Sequence, residues 1–208
     1  MMKSIEREYF KADSAAFLKT TEKWGKLSNM ARGFPLAING YHIANSEALY
    51  QACRFPHRPD IQEKIITQKN PMDAKSIARH FDAATSEDWM ERRVFIMKWC
   101  LRVKLAQNWD AFSKELLATQ DLHIVEISFK DKFWGATPVT GDRLLGQNVL
   151  GRLLMELREQ IKIHHSERFW TVLPPKLDNF LLLGQEIGRV YKYEVSKVTD
   201  STFQSEMF

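Results

Sequence analysis

The run Val94-Phe95-Ile96-Met97-Lys98-Trp99-Cys100-Leu101 is apolar on nearly every side of a helical wheel, and this sets the tightest limit on the folds open to the chain. A helix with one apolar stripe rests on a surface, whereas one that is apolar most of the way round has to be enclosed. The spacing predicts a helix from about Ser86 to Gln107, the longest in the chain, as the central buried element. At 208 residues the chain is long enough to bury about 70% of its unfolded surface around such a centre.

Other elements are marked by their punctuation. Asn39-Gly40 suits the positive φ angles of a two-residue turn, and Phe34, Leu36 and Ile38 alternate, so residues 33–43 read as a hairpin. A helix follows from Ser46, taken as its N-cap, to about Phe55, where Pro56 and Pro59 stop it. Asp60-Ile61-Gln62-Glu63 has capping-box spacing, and Asn70-Pro71 opens a third helix with Asp73 in its first turn. Beyond the central helix, Trp109 to Thr119 reads as a fifth helix and Leu122 to Ser128 as a strand rich in β-branched residues. A glycine-punctuated loop is expected from Trp134 to Gln147, then a helix capped by Asn148 and carried by Leu150, Leu153, Leu154, Leu157 and Ile161. Past His164 the pattern changes: Pro174-Pro175 breaks the chain, and Tyr191 to Val195 alternates like a strand.

Composition narrows the classes. Hydrophobic content of 44% with 27% charged residues is that of a soluble globular protein. Met1 to Glu8 carries charge where a signal peptide needs an apolar stretch, and no apolar run nears the roughly 20 residues that span a bilayer, so a cytoplasmic protein without membrane contact is expected. Two cysteines, Cys53 and Cys100, give no disulfide framework, and Cys100, mid-helix among apolar neighbours, is expected to be inert. The six histidines show no metal-ligand spacing, and neither a G-x-S-x-G elbow nor a phosphate-binding loop is present, so no metal or cofactor is expected. A net charge of +4, well mixed along the chain, makes any affinity for nucleic acid a matter of local clusters such as Lys162, His164, His165 and Arg168.

Four places carry chemistry. Glu47, Gln51 and Arg54 fall on one stripe of the helix that opens at Ser46. This is either a solvated face, with Glu47 complementing the helix dipole, or the floor of a cleft, with Glu47 as acid/base and Arg54 on phosphate or ribose. Lys104 continues the apolar stripe of Met90, Val94, Met97 and Leu101; it either snorkels or points its cation into a pocket where it can serve as a nucleophile, and Lys75 is open to the same two readings. Asp131 either bonds its own turn or holds a ribose hydroxyl, while Phe133 and Trp134 are either core or a stacking platform. Glycines between Gly141 and Gly151, a helix start at Asn148, and Arg152 just beyond suit phosphate oxygens.

These segments, in this order, resemble the NADAR (YbiA-like) family. The resemblance is carried by Leu27-Ser28-Asn29, Ser46-Glu47 with Gln51-Ala52, Pro71 through Lys75, and Trp89, Arg93, Met97 and Lys104 on the long helix. It continues through Val125-Glu126, Asp131 with Trp134-Gly135, and Asn148 through Glu159, covering about residues 24–161. It implies a helix-rich α+β fold with a small sheet: a catalytic domain over 1–161 and an extension over 162–208 packed on it. It also implies hydrolysis of N-glycosidic bonds, since members cleave early riboflavin-pathway intermediates or remove ADP-ribose from guanine bases, some as antitoxins beside a DNA ADP-ribosyltransferase toxin.

Carried over by position, Glu47, Asp131, Lys104 and Lys75 become catalytic candidates, and Ser28, Asn29, Gln51, Arg54, Trp134, Gly135, Asn148 and Arg152 ligand-binding ones. The chain departs from the family at Ala48-Leu49, where many members have His-Tyr, at Arg54, where many have lysine, and in the longer loop from Ala136 to Gln147. The expected activity is removal of ADP-ribose from guanine in nucleic acid, with ADP-ribosylated DNA as substrate and a toxin as possible partner. The alternatives are an N-glycosidase acting on early riboflavin-pathway intermediates, a non-catalytic ADP-ribose- or NAD-binding module, and a scaffold for a toxin.

Overall fold

A computed structural model describes residues 6–192. Its elements are β1 (Arg7–Phe10), β2 (Ser14–Phe17), β3 (Leu36–Ile38), β4 (Tyr41–Ile43), α1 (Ser46–Ala52), α2 (Pro59–Ile66) and α3 (Pro71–His80). They continue as α4 (Trp89–Gln107), α5 (Trp109–Ala118), β5 (His123–Glu126), β6 (Thr137–Pro138), β7 (Arg143–Gly146) and α6 (Val149–Ile163). Four two-residue strands follow: β8 (Thr171–Val172), β9 (Leu181–Leu182), β10 (Gln185–Glu186) and β11 (Val190–Tyr191). This is an α+β fold. The described residues gather into two compact units: one holds residues 6–28 together with Asp110–His165, the other Asn29–Trp109 with residues 166–192.

In the first unit β7 lies between β1 and β6, antiparallel to both, with Arg7 opposite Gly146 and Thr137 opposite Leu145. The stretch expected to be a plain loop therefore holds two strands. Leu144 and Leu145 are too short an alternation between glycines to announce a strand, and β7 is fixed instead by its partner near the N-terminus. β2 and β5 run parallel, Ser14 opposite His123 through Phe17 opposite Glu126. Helix α6 packs on β5, and its Leu150, Leu154, Leu157 and Ile161 are all buried. The approach is close: a Cβ on Gly151 would sit 2.0 Å from the Ile124 carbonyl oxygen, which only glycine avoids.

In the second unit α1 packs against α2, α3 and α4, and every one of its seven residues is buried. Asn45, not Ser46, caps it, accepting the Ala48 N–H on its side chain at 2.9 Å. The hairpin is as read, with Asn39 and Gly40 at φ 50° and 81° between β3 and β4. The capping box at Asp60 does not form: Pro59 is already helical, and the Asp60 carboxylate instead receives the Arg58 guanidinium at 2.8 and 2.9 Å. Asn70 does cap α3, through the Met72 N–H. Helix α4 begins at Trp89, three residues later than expected, and the Ser86 N–H donates to the Arg54 carbonyl at 2.9 Å. From Ile96 to Ala106 it is enclosed almost throughout, although Met90 and Phe95 near its start are exposed.

Residues 166–192 belong to the same unit as α4. β8 pairs with β11 and β9 with β10, and Phe180 sets its ring edge-on to Trp99 at 5.0 Å. Gln62 ties α2 to this segment, donating to the Leu181 carbonyl and accepting the Leu183 N–H. Of the strand expected over Tyr191 to Val195, Tyr191 ends β11, and Tyr193, Glu194 and Val195 lie outside the described residues. Among the described residues no helix is long and apolar enough to cross a membrane.

Candidate functional site

The polar stripe of α1 is an interior feature, not a solvated face. Glu47 and Gln51 are each 6% exposed. A carboxylate so enclosed is costly unless hydrogen-bonded, and Gln51 supplies the bond, its Nε2 donating to Glu47 Oε1 at 2.8 Å. The Glu47 backbone N–H donates to the Asn29 carbonyl at 3.2 Å, which brings Asn29 beside the start of α1. The Asn29 side-chain amide donates to the Met97 sulfur at 2.7 Å, while its Oδ1 is buried with no partner. Asn45 Nδ2 and Ser46 Oγ, in the two residues before Glu47, are likewise buried and unsatisfied. Buried polar atoms are usually paired, so Asn29, Asn45 and Ser46 leave hydrogen-bonding capacity within two residues of Glu47 or at its backbone contact.

Arg54 completes the stripe. Its Nη1 donates to Gln51 Oε1 at 3.0 Å and its Nη2 to the Thr85 hydroxyl at 2.8 Å and to the Asp82 carboxylate. The guanidinium lies 5.3 Å from the Phe55 ring and 5.9 Å from that of Trp89. Tyr50, one turn on from Glu47, is buried with its ring 5.0 Å from Trp89. Burial pushes its phenol above the ordinary tyrosine range, and the Glu47 carboxylate adds to the rise, so Tyr50 stays protonated at neutral pH. Tyr50, Asn45, Asp82 and Thr85 escaped the sequence reading. Of these, only Tyr50 carried a signal, its i+3 spacing from Glu47.

Lys104 does not snorkel: it is fully buried, with Nζ 4.4 Å from the centre of the Phe34 ring. Lys75 is partly buried on α3. Cys53 and Cys100 are both buried, and burial, followed by a hydrogen bond with Cys53, raises the Cys100 thiol well above its usual value. Among the described residues no group of three or more His, Cys, Asp or Glu side chains is placed to hold a metal.

The remaining candidates lie in the first unit. Asp131 is exposed, and its Oδ1 accepts the N–H groups of Phe133 and Trp134, both at 2.9 Å, so it shapes the turn that presents Trp134. Trp134 is half-buried, edge-on to Phe133 at 5.0 Å. Gly135 is buried, and a Cβ there would meet the Glu126 carbonyl at 2.4 Å. Asn148 precedes α6 in the left-handed region, φ 48°, but does not cap it. Its side chain is fully buried and turned to β5, donating to the Ile124 carbonyl at 2.8 Å and accepting the Glu126 N–H at 3.2 Å. The backbone amides of Asn148, Val149 and Leu150 donate to the carbonyls of Gly135, Phe133 and Trp134, so the phosphate cradle expected at this helix start is already filled by the chain itself. Arg152 is exposed on α6, and Ser28 is buried at the end of a short 3-10 turn.

Comparison with known proteins bears on the family and the fold. The NADAR domain pattern matches residues 16–162. The N-glycosidase YbiA of Escherichia coli is 33% identical over 147 residues, which cover 71% of this chain and 88% of YbiA. A riboflavin biosynthesis protein of Vibrio vulnificus is 33% identical over 150 residues, but the chain spans only 38% of that protein's length. The NMR structure of Escherichia coli YbiA superposes with a TM-score of 0.62 at 32% identity, covering 74% of this chain and 91% of YbiA. With most of its length matched by the domain pattern and its α+β fold shared with a solved member, this chain belongs to the NADAR family.

Proposed function

We propose that this protein is an N-glycosyl hydrolase that removes ADP-ribose from guanine bases in nucleic acid. The observation that carries the reading is the enclosed Glu47 carboxylate, held at one oxygen by Gln51, in the opening turn of a fully buried helix. Breaking the bond between the anomeric carbon and nitrogen builds positive charge on the ribose. A carboxylate beside that carbon stabilises the charge, takes a proton from the attacking water, or returns one to the leaving nitrogen. The products are free ADP-ribose and the restored base. Lys104 offers a second route in which its amine adds to the ring-opened sugar as a Schiff base, and Lys75 is the other lysine open to it.

Incubating the purified protein with DNA carrying ADP-ribosylated guanine, alongside early riboflavin-pathway intermediates, tests the reading. Release of ADP-ribose supports it; turnover of the intermediates alone replaces it with the metabolic one. That second reading is favoured by relatives named for riboflavin biosynthesis in Vibrio vulnificus and Zea mays. Borohydride during turnover separates the two routes, because only a Schiff base leaves a reduced adduct on lysine. An antitoxin role further requires a DNA ADP-ribosyltransferase toxin whose lethality the protein suppresses.

A further inference from the structure

Arg54 aligns with Glu47 and Gln51 on the stripe and was expected to grip phosphate. Its hydrogen bonds point elsewhere. Both terminal nitrogens are already engaged within the chain, Nη1 on Gln51 and Nη2 on Asp82 and Thr85, and Nε is buried without an acceptor. A glutamine amide can sit in either of two flips, and here chemistry settles which. A guanidinium has only donors, so the Gln51 oxygen must face Arg54, and its NH2 must then face Glu47, where it donates to Oε1 at 2.8 Å. The opposite flip would set oxygen against the carboxylate and NH2 against the cation.

We propose that Arg54 is a positioning residue for Glu47, acting through Gln51. The proposal rests on Glu47 being the reacting carboxylate. Asp82 and Thr85 anchor the guanidinium, the guanidinium orients the amide, and the amide occupies Oε1, leaving Oε2 as the oxygen offered to the reacting bond. Because its donor is polarised by a cation one residue away, the bond onto Glu47 is stronger than a lone glutamine would give. A lysine at this position is a single point charge on a flexible stem and cannot hold Gln51 and Asp82 in one fixed fork.

The test compares Arg54→Ala, Arg54→Lys and Asp82→Asn with the parent chain, on whichever substrate the parent turns over. Arg54→Ala is expected to lower kcat at least tenfold with KM within about twofold, and millimolar guanidinium is expected to restore part of the loss. Arg54→Lys should fall between Arg54→Ala and the parent. Asp82→Asn, at an exposed side chain that does not threaten the fold, should lose roughly two- to fivefold in kcat alone. A rise in KM with kcat intact would make Arg54 a substrate ligand and overturn the proposal, as would unchanged kinetics. A readout that needs no substrate is exchange of the Gln51 side-chain NH2 by NMR, expected at least tenfold faster in Arg54→Ala; equal exchange overturns the proposal. A parent chain inert on every substrate would sink the hydrolase reading, while the Gln51 readout would still decide what Arg54 does.

Discussion

Gln107 pairs with Ala37 as a neighbouring strand would: its Oε1 accepts the Ala37 N–H and its Nε2 donates to the Ala37 carbonyl, both at 2.9 Å. Ala37 stands opposite His42 in the hairpin with its peptide groups turned away from β4, and the last residue of α4 closes that open edge. Replacing Gln107 with leucine keeps much of the volume but leaves both Ala37 groups without partners. A loss of about 2 to 4 kcal/mol is expected, read as a drop of roughly 5 to 12 °C in the thermal midpoint.

Gly151 permits no side chain at the crossing of α6 over β5. Gly151→Ala places a Cβ against both the Ile124 carbonyl and the Asn148 side chain, so helix and strand must part. Overpacking of this kind costs about 1 to 3 kcal/mol. Urea unfolding should show a lower midpoint with an unchanged slope.

Glu47→Gln preserves shape and removes the charge, the lone pair that accepts a proton and the capacity to stabilise a cationic sugar. Turnover is expected to fall by about 10² to 10⁴ with a normal melting curve. Glu47→Ala that left turnover intact on every substrate would remove the carboxylate from the mechanism.

The foot of α6 carries an acid-sensitive cluster. Lys162 hydrogen-bonds Asp121 at 2.8 Å and Glu159 at 3.2 Å, and Arg158 hydrogen-bonds Glu159 at 2.8 Å. The Lys162 bond and charge lower the Asp121 carboxyl; the Arg158 bond and then Lys162 lower that of Glu159. Both folded values lie below the unfolded ones of about 3.9 and 4.3. Their contribution is therefore present above pH 4 to 5 and is lost as pH falls through the folded values. Lys162, raised chiefly by the Asp121 bond, contributes below its unfolded value of about 10.4 and loses that contribution at higher pH. Lys162→Met should be slightly less stable than the parent at pH 7, the gap closing below about pH 3 in urea titrations across pH.

What the sequence disclosed, and what it withheld, follows from how far each signal reaches. Asn39-Gly40 encodes its turn in its own backbone preferences, and the apolar run from Ile96 to Leu101 encodes its own enclosure, so the hairpin and the core of α4 are legible, although Phe95 in the same run stays exposed. β1 is not legible, because Tyr9 is the one buried residue among Arg7, Glu8, Tyr9 and Phe10, and the strand exists only by pairing with β7. The stripe of Glu47, Gln51 and Arg54 was visible as a stripe, but its enclosure depends on α2, α3 and α4, which no spacing within α1 can reveal. Asn148 shows the same limit. Its position alone makes it a cap, whereas its side chain is claimed by Ile124 and Glu126, far upstream in sequence.

The parallel pairing of β2 with β5 has a consequence for biosynthesis. Ser14 leaves the ribosome well ahead of His123 and cannot pair with it until that residue has been made. At roughly 5 to 20 residues per second, that wait lasts about 5 to 20 seconds, with a strand edge open to chaperones or to neighbouring nascent chains.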